Sequence, residues 1–411
     1  MAQINITLDQ DEVLRLLAED GSGAFKALLQ EALDALLRAE SAEQLHAAPY
    51  ERTEERTGVR NGTRKRPLTT RVGTIELTVP RHRDVPFKTL VFENYRRSEA
   101  ALVTTMAEMV VAGVSTAKVG RVMEEICGRP FSKQAVSEAC RELDGPVRAF
   151  RERPVEGEYL FVLLDATRLR VREGGRVVAK DLMIAVGLTP GGQKEVVGFC
   201  LADSETAGSW AAFLRSLRAR GLMDPRMFTT DAHGGLRRAL AEVYPGVPWQ
   251  RCQAHLTRNV VDAAPKRLQK GLASELAAMF NCRTLREARA RRDEIAADYA
   301  EAAPRAVEVL DAGFDDAMTV MELPEAMRRC VRTSNYVERL NREVKRRAKV
   351  IGVFPNAESA VRLMGAFLME ENDRWAAKRR LYYAPALEEL EERAPRLMEI
   401  GRAQKALMEA A

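Results

Sequence analysis

This sequence predicts an α/β protein, and two stretches carry that prediction. Between residues 158 and 252, three β-rich runs (EYLFVLLDATRLRV, VVAKDLMIAVGLTP and KEVVGFCLAD) are joined by glycine-containing turns. A helical pattern follows at TAGSWAAFLRSLRARG, then a short strand at MFTTD, a helix at HGGLRRALAEVY and a fifth short strand at VPWQRC. From 255 to 332 no strand signal remains, and the chain is almost purely helical to its end. Three meandering strands followed by alternating helix and strand describe a ribonuclease-H-like core. The expected fold is that core with helical and helix-turn-helix regions before it and an all-helical stretch after it.

In chain order, residues 24–45 (AFKALLQEALDALLRAESAEQL) space apolar residues three and four apart, as an amphipathic helix used for packing or oligomerisation does. In RTGVRNGTRKRPLTTRVGTIELTVPRHRD, residues 56–84, RNG signals a turn and VGTIELTVP alternates as a half-buried strand. Its arginines and lysines suit either DNA contact or a charged edge that deters strand pairing. Ser115 can cap a helix ending near Ile126; a connection at Cys127–Pro130 follows, and Ser132 starts a second helix with Ala135, Val136 and Ala139 inward. That pair has the helix-turn-helix pattern. The expected domains are 1–100 (helical, oligomerisation, basic β segment), 101–150 (helix-turn-helix, DNA-binding), 155–260 (core, first part), 261–330 (helical insertion), 331–383 (core, second part) and 384–411 (helical tail).

With 411 residues, 46% of them hydrophobic and 30% charged, the chain can build several cores and still present a charged surface. Its start, MAQINITLDQDE, is acidic where a signal peptide would be basic, and no apolar run reaches 18 residues; a cytoplasmic protein without membrane contact is expected. Six scattered cysteines without a CxxC pair suit reduced thiols. Charge is segregated: residues 1–50 hold 3 Lys/Arg against 9 Asp/Glu, residues 51–100 hold 12 against 7, and residues 321–350 hold 9 against 4. Such basic stretches point to phosphate-bearing partners.

Asp165 interrupts the apolar run LFVLLDA, where a lone charge costs several kcal/mol unless paired or metal-bound. Asp231 closes MFTTD just before a helix, either as that helix's cap or as an active-site group at a strand's end. Glu338, in TSNYVERLNREVKRR, is a capping-box glutamate if Asn335 is the N-cap. It also heads a stripe continued by Arg342, Lys345 and Lys349, beside the apolar stripe Val337, Leu340, Val344 and Ala348, as a metal ligand with cations tracking a nucleic-acid backbone would. Three carboxylates can hold two divalent ions for in-line phosphoryl transfer. Cys252 and His255 form only a zinc half-site, with Cys282 or His233 the remaining candidates, so His255 is assigned to the active site, donating a hydrogen bond to phosphate or leaving oxygen. Arg251, Arg258 and Arg346 join the DNA-binding set. Phosphate-loop, dinucleotide and zincin motifs are absent from the sequence, so no nucleotide cofactor is expected.

LLDATRLRVREGGRV, GFCLADSETAGSWAAFLRSLRARGL, TTDAHGGL, WQRCQAHLTRN and TSNYVERLNREVKRR, in this order, resemble the mutator-type family of bacterial insertion-sequence transposases over roughly residues 50–383. The resemblance implies a catalytic triad at Asp165, Asp231 and Glu338 on a ribonuclease-H-like core, with Cys252 and His255 matching the family's cysteine-x2-histidine signature. It implies a DNA transposase that binds terminal inverted repeats and, with Mg²⁺ or Mn²⁺, cleaves strands and joins the 3′ hydroxyl to target DNA. A homodimer, nucleoid association and a circular intermediate are implied with it. A metal-dependent nuclease without strand transfer and a non-catalytic DNA-binding regulator are the alternatives; the regulator has no need of an intact triad.

Overall fold

The computed structural model describes residues 22–70, 73–83, 85–89, 91, 100–127, 130–377 and 386–410, and the chain divides into two units, Met1–Leu143 and Asp144–Ala411. The first unit opens with helix α1 (Ser22–Leu45) and the antiparallel pair β1 (Arg60–Thr70) and β2 (Gly73–His82). Along β2, Ile75, Leu77 and Val79 alternate with more polar residues, as the period of a strand demands, and pack with Leu68 and Leu37. The RNG stretch expected as a turn lies inside β1 instead. The register skips between Arg60 and Thr63, and Gly62 takes φ +74, so the glycine serves a bulge rather than a reversal. Residues 71–72, between the two strands, lie outside the described residues.

Three short helices follow: α2 (Ala100–Val111), α3 (Thr116–Cys127) and α4 (Lys133–Ala139). Ser115 Oγ accepts the Lys118 N–H at 3.3 Å and Ser132 Oγ accepts the Ala135 N–H at 3.1 Å, so both serines cap the helices expected of them. Met123 and Val136 are buried. The α3–α4 connection includes 128–129, which lie outside the described residues.

In the second unit, α5 (Asp144–Glu152) precedes the expected order of elements: β3 (Phe161–Glu173), β4 (Arg176–Leu188), β5 (Lys194–Ala202), α6 (Ala207–Ala219), β6 (Met227–Thr230), α7 (Gly234–Val243) and β7 (Trp249–Arg251). They form one sheet in the order β5-β4-β3-β6-β7. The first three strands meander antiparallel, whereas β6 runs parallel to β3 and β7 parallel to β6. Val162 and Leu164 of β3 share a core with Trp210 and Leu214 of α6 and with Leu236 and Leu240 of α7. A separate helical core is built by α8 (Gln253–Asp262), α9 (Lys266–Phe280), α10 (Leu285–Tyr299) and α11 (Pro304–Met318), around Leu256, Leu276, Leu310 and Phe314.

The chain then returns to the sheet through α12 (Glu325–Val331), α13 (Asn335–Ile351) and α14 (Ala357–Ala376). The return is stitched to the ends of β6 and β7: Thr229 Oγ1 donates to Val331 O at 2.6 Å, and the Gln253 N–H to Arg332 O at 3.0 Å. Helix α13 packs on β3, and α14 packs on β5. The last helix, α15 (Leu387–Ala410), meets the sheet at its β7 edge. There Gln404 Oε1 accepts the Trp249 N–H and Gln404 Nε2 donates to Trp249 O, both at 2.8 Å. Among the described residues no helix is long and apolar enough to cross a membrane.

Gly365 lets α14 lie against the sheet, since a Cβ there would sit 2.4 Å from Val147 Cγ1 and 2.7 Å from Phe199 Cζ. Gly365→Ala should therefore overpack this contact and destabilise the second unit by about 1–3 kcal/mol. Thermal unfolding should report it as a Tm lowered by roughly 2–10 °C; an unchanged Tm would show that the helix relaxes without cost.

Candidate active site

In the parallel pairing of β3 with β6, Leu163 lies opposite Thr229. Two residues further along each chain, just past the end of β6, are Asp165 and Asp231. The strand period puts Asp165 on the face of Phe161 and Leu163, away from the Val162–Leu164 core and toward α13. There Asn341 Nδ2 donates to Asp165 Oδ2 at 2.9 Å, and the Ala166 N–H donates to Oδ1 at 2.9 Å. No lysine or arginine forms an ion pair with Asp165 among the described residues. Burial pushes its carboxyl up to about 6; His255 works against this, and Asp231 adds repulsion.

Asp231 does not cap the helix that follows. The N-cap of α7 is His233, whose side chain makes no capping bond, and Asp231 Oδ1 accepts the His233 N–H at 3.1 Å. Glu338 is likewise no capping-box residue. The N-cap of α13 is Ser334, one residue earlier than expected, at φ −81 and ψ 20, with no side-chain cap. Glu338 Oε1 instead lies 3.2 Å from Ser334 Oγ, 3.6 Å from His255 Nδ1 and 4.0 Å from Cys252 Sγ.

Cys252, His255 and Glu338 thus bring their ligand atoms within 4.8 Å of one another. Among the described residues this is the cluster of that kind; Asp165 and Asp231 stand beside it, and neither Cys282 nor His233 belongs to it. Cys252 is fully buried, and its sulfur accepts the Ser334 N–H at 3.3 Å with Ser334 Oγ at 3.2 Å. Burial raises the thiol's pKa, but His255 and the two Ser334 donors outweigh it and lower it. The Cys252 sulfur is in turn the main reason that His255 is raised to about 9, with Glu338 and Asp165 adding to it against the effect of burial. At neutral pH His255 is therefore a cation among carboxylates, and its Nδ1 is buried with no completed hydrogen bond.

The family described as "Transposase, Mutator family" matches this chain over residues 1–378. The chain belongs to the Mutator family of transposases. Like its relatives, it is a transposase of insertion-sequence type. It is 37% identical over 386 residues to the transposase for insertion sequence element IS256 in transposon Tn4001 from Staphylococcus aureus, covering 93% of this chain and 99% of that one. It is 38% identical over 350 residues to the transposase for ISRM5 of Rhizobium meliloti (strain 1021), covering 85% and 88%. With the transposase for IS1081 of Mycobacterium tuberculosis (strain ATCC 25618 / H37Rv) it shares 35% over 376 residues, 91% of each chain.

In this Mutator-family chain the expected DNA-contacting residues fall into different settings. Arg258, Arg342, Lys345 and Lys349 are exposed. Arg346 is paired with Glu343 at 3.0 Å. Arg251 turns inward, its guanidinium against Gly313 of α11 and under the field of Asp316. Asn341 is the site residue that sequence reasoning passed over. It is 5% exposed and its Oδ1 is buried without a partner. Its signal was a polar residue at an apolar position, four after Val337 and three before Val344.

A carboxyl raised from its ordinary range to about 6 binds its proton more tightly in the folded chain than in the unfolded one. Folding is therefore penalised above the folded value, and the penalty disappears below the unfolded one. Asp165→Asn, in the presence of a chelator, should stabilise the chain at pH 8 by up to about 3 kcal/mol, less whatever the lost acceptor contributes. The gain should shrink as pH falls from 6 toward 4. Chemical unfolding of both chains at several pH values checks this; a gain independent of pH would deny the elevated pKa.

Proposed function

We propose that this transposase cleaves DNA at the terminal inverted repeats of its element and joins the freed 3′ hydroxyl to target DNA, at a centre formed by Asp165, Asp231 and Glu338. The observation that carries this reading is the meeting of Asp165 and Asp231 at the end of the β3–β6 pairing under the helix that bears Glu338. The sheet, three antiparallel strands followed by two parallel ones, supports a ribonuclease-H-like core split by the α9–α11 insertion. The serine-capped pair α3–α4 supports a helix-turn-helix for end recognition, with the basic β1–β2 hairpin beside it in sequence.

The three carboxylates suit hard divalent cations such as Mg²⁺ or Mn²⁺. Asp165 accepts only neutral N–H donors among the described residues and is repelled by Asp231; divalent cations between them would relieve both the burial and the repulsion. Bound there, such cations supply Lewis-acid stabilisation of the attacking and leaving oxygens of an in-line displacement. The chain's own residues do the rest. Asn341 fixes the Asp165 carboxylate from α13, so that strand and helix keep one spacing. Ser334 and Cys252 hold the start of α13, and with it Glu338, at the end of the sheet. His255, cationic at neutral pH, can donate a proton or hydrogen bond from its ring to the leaving 3′ oxygen. Arg258, Arg342, Lys345 and Lys349 present their charge to the phosphate backbone.

The test is Glu338→Gln, which keeps length and shape and removes the charge. It should fold, bind repeat DNA at least as well as the parent, and lose cleavage and strand transfer together by more than about a hundredfold, the upper end of the loss for an outer-sphere partner. Oligonucleotides carrying the repeats, assayed for joined products in Mg²⁺, measure it. Strand transfer near the parent's rate would remove Glu338 from the centre.

A further inference from the structure

The stretch from 280 to 332 contains a second concentration of positive charge, away from the carboxylates. A cleft of about 440 Å³ opens between the turn at 280–283 and α12, lined among others by Asn281, Arg283, Glu325, Arg328, Arg329 and Arg332. Four arginines face one glutamate. Among the described residues none of the four lies within ion-pair distance of a carboxylate, whereas nearby Arg291 and Arg292 are paired with Glu294 and Asp293.

The arginines are held in place by neutral groups. Arg328 donates from Nε to Leu323 O at 2.8 Å, from Nη1 to Arg283 O at 2.9 Å and from Nη2 to Met321 O at 2.9 Å. Arg332 Nη1 donates to Phe280 O at 3.1 Å and to Asn281 Oδ1 at 2.9 Å. Carbonyls orient a guanidinium without cancelling its charge. Burial and the neighbouring Arg329 both disfavour the charge on Arg332, and burial and Arg393 disfavour that on Arg328, with Glu325, Glu389 and Glu322 offsetting only part. A tetrahedral anion with several acceptor oxygens is the ligand that such a fork-lined cleft recognises.

We propose that this cleft is a phosphate site that takes one backbone phosphate of the DNA strand engaged by the transposase. This rests on the reading above that the strand passes Glu338. The two sites are joined by a short link: Arg332 O accepts the N–H of Gln253, two residues before His255, and Ser334, two residues after Arg332, is the N-cap of the helix bearing Glu338. A phosphate seated on Arg332 therefore fixes the strand against the same segment that carries the catalytic carboxylate, and the cleft anchors flanking DNA without reading its sequence.

Arg283 and Arg329 are exposed, and their side chains make no hydrogen bond or ion pair among the described residues, so the double variant Arg283→Ala/Arg329→Ala should keep the parent's Tm. The Gln pair, closer in length, is the second variant. Binding of the full chain to repeat-bearing duplex is measured against KCl concentration with Ca²⁺ in place of Mg²⁺. The variants should bind more weakly, equally so for repeat and unrelated duplex, and the slope of log K against log salt should become shallower by about 0.9 for each phosphate that is no longer neutralised. Parent-like affinity and slope overturn the proposal. Inorganic phosphate separates the sources: protection of the parent by phosphate, abolished in the variants while the DNA slope stays at the parent's value, makes this a free-phosphate site and overturns the DNA assignment. If Glu338→Gln retains strand transfer but the slope still changes, the centre has failed and the cleft stands.

Discussion

The site depends on one constraint, the return of the chain to the sheet after a long helical excursion. Between Arg251 and Val331 the polypeptide builds a core of its own, around Leu256, Leu310 and Phe314, and then must come back in register. Three contacts fix the return: Thr229 Oγ1 to Val331 O, the Gln253 N–H to Arg332 O, and the Ser334 N–H to Cys252 Sγ. Each joins a residue at or just after the end of β6 or β7 to the segment Val331–Ser334, the last residue of α12 and the three-residue link before α13. They are buried, so leaving any of them unmade would strand a polar group without water. Their effect is to set where α13 begins, and the positions of Glu338 and Asn341 follow from that start by helical geometry alone.

Around this junction the electrostatics is set by buried carboxyls, a thiol and one imidazole. Asp165 and Asp231 repel each other, and the Asp165 carboxyl is raised to about 6. His255 opposes this, and it is itself raised to about 9, chiefly by the Cys252 sulfur. The sulfur is in turn favoured as an anion by His255 and Ser334. Thiol, imidazole and carboxylate thus form a chain in which each group shifts the titration of the next. The cysteine's contribution is to favour the protonated imidazole, where an apolar residue would leave Glu338 and Asp165 to oppose its burial.

Much of this was legible in the sequence, for reasons that can be named. The order of strands and helices followed from periodicity and glycine-bearing turns, because a half-buried meander imposes alternation on every residue. Asp165 stood out because a charge within an apolar run has few explanations. What could not be read depended on backbone angles and distant partners. Whether Glu338 caps a helix depends on which residue takes the cap geometry, and Ser334 took it in place of Asn335. Asn-Gly in β1 has the composition of a turn, yet it also satisfies a bulge. Arg251 adjoins the Cys252-x2-His255 signature, but its direction is set by Gly313, a residue far along the chain with no side chain to keep it out. Asn341 is hidden in the sequence because an amphipathic helix announces itself by apolar residues on one face and charged ones on another, and a neutral amide belongs to neither pattern.

The tail offers a last consequence. Edge strands expose unpaired backbone groups that invite a neighbour's strand, and β7 is such an edge, three residues long. Gln404 occupies it with a side-chain amide that imitates a strand residue, accepting from Trp249 N and donating to Trp249 O. The same amide nitrogen reaches Asp316 Oδ1 at 3.1 Å, so the plug is also tied to the helical insertion. A helix with no recognisable motif therefore works as a stopper for the sheet, and a chain shortened before 404 would carry a sticky margin through which copies could join into aggregates.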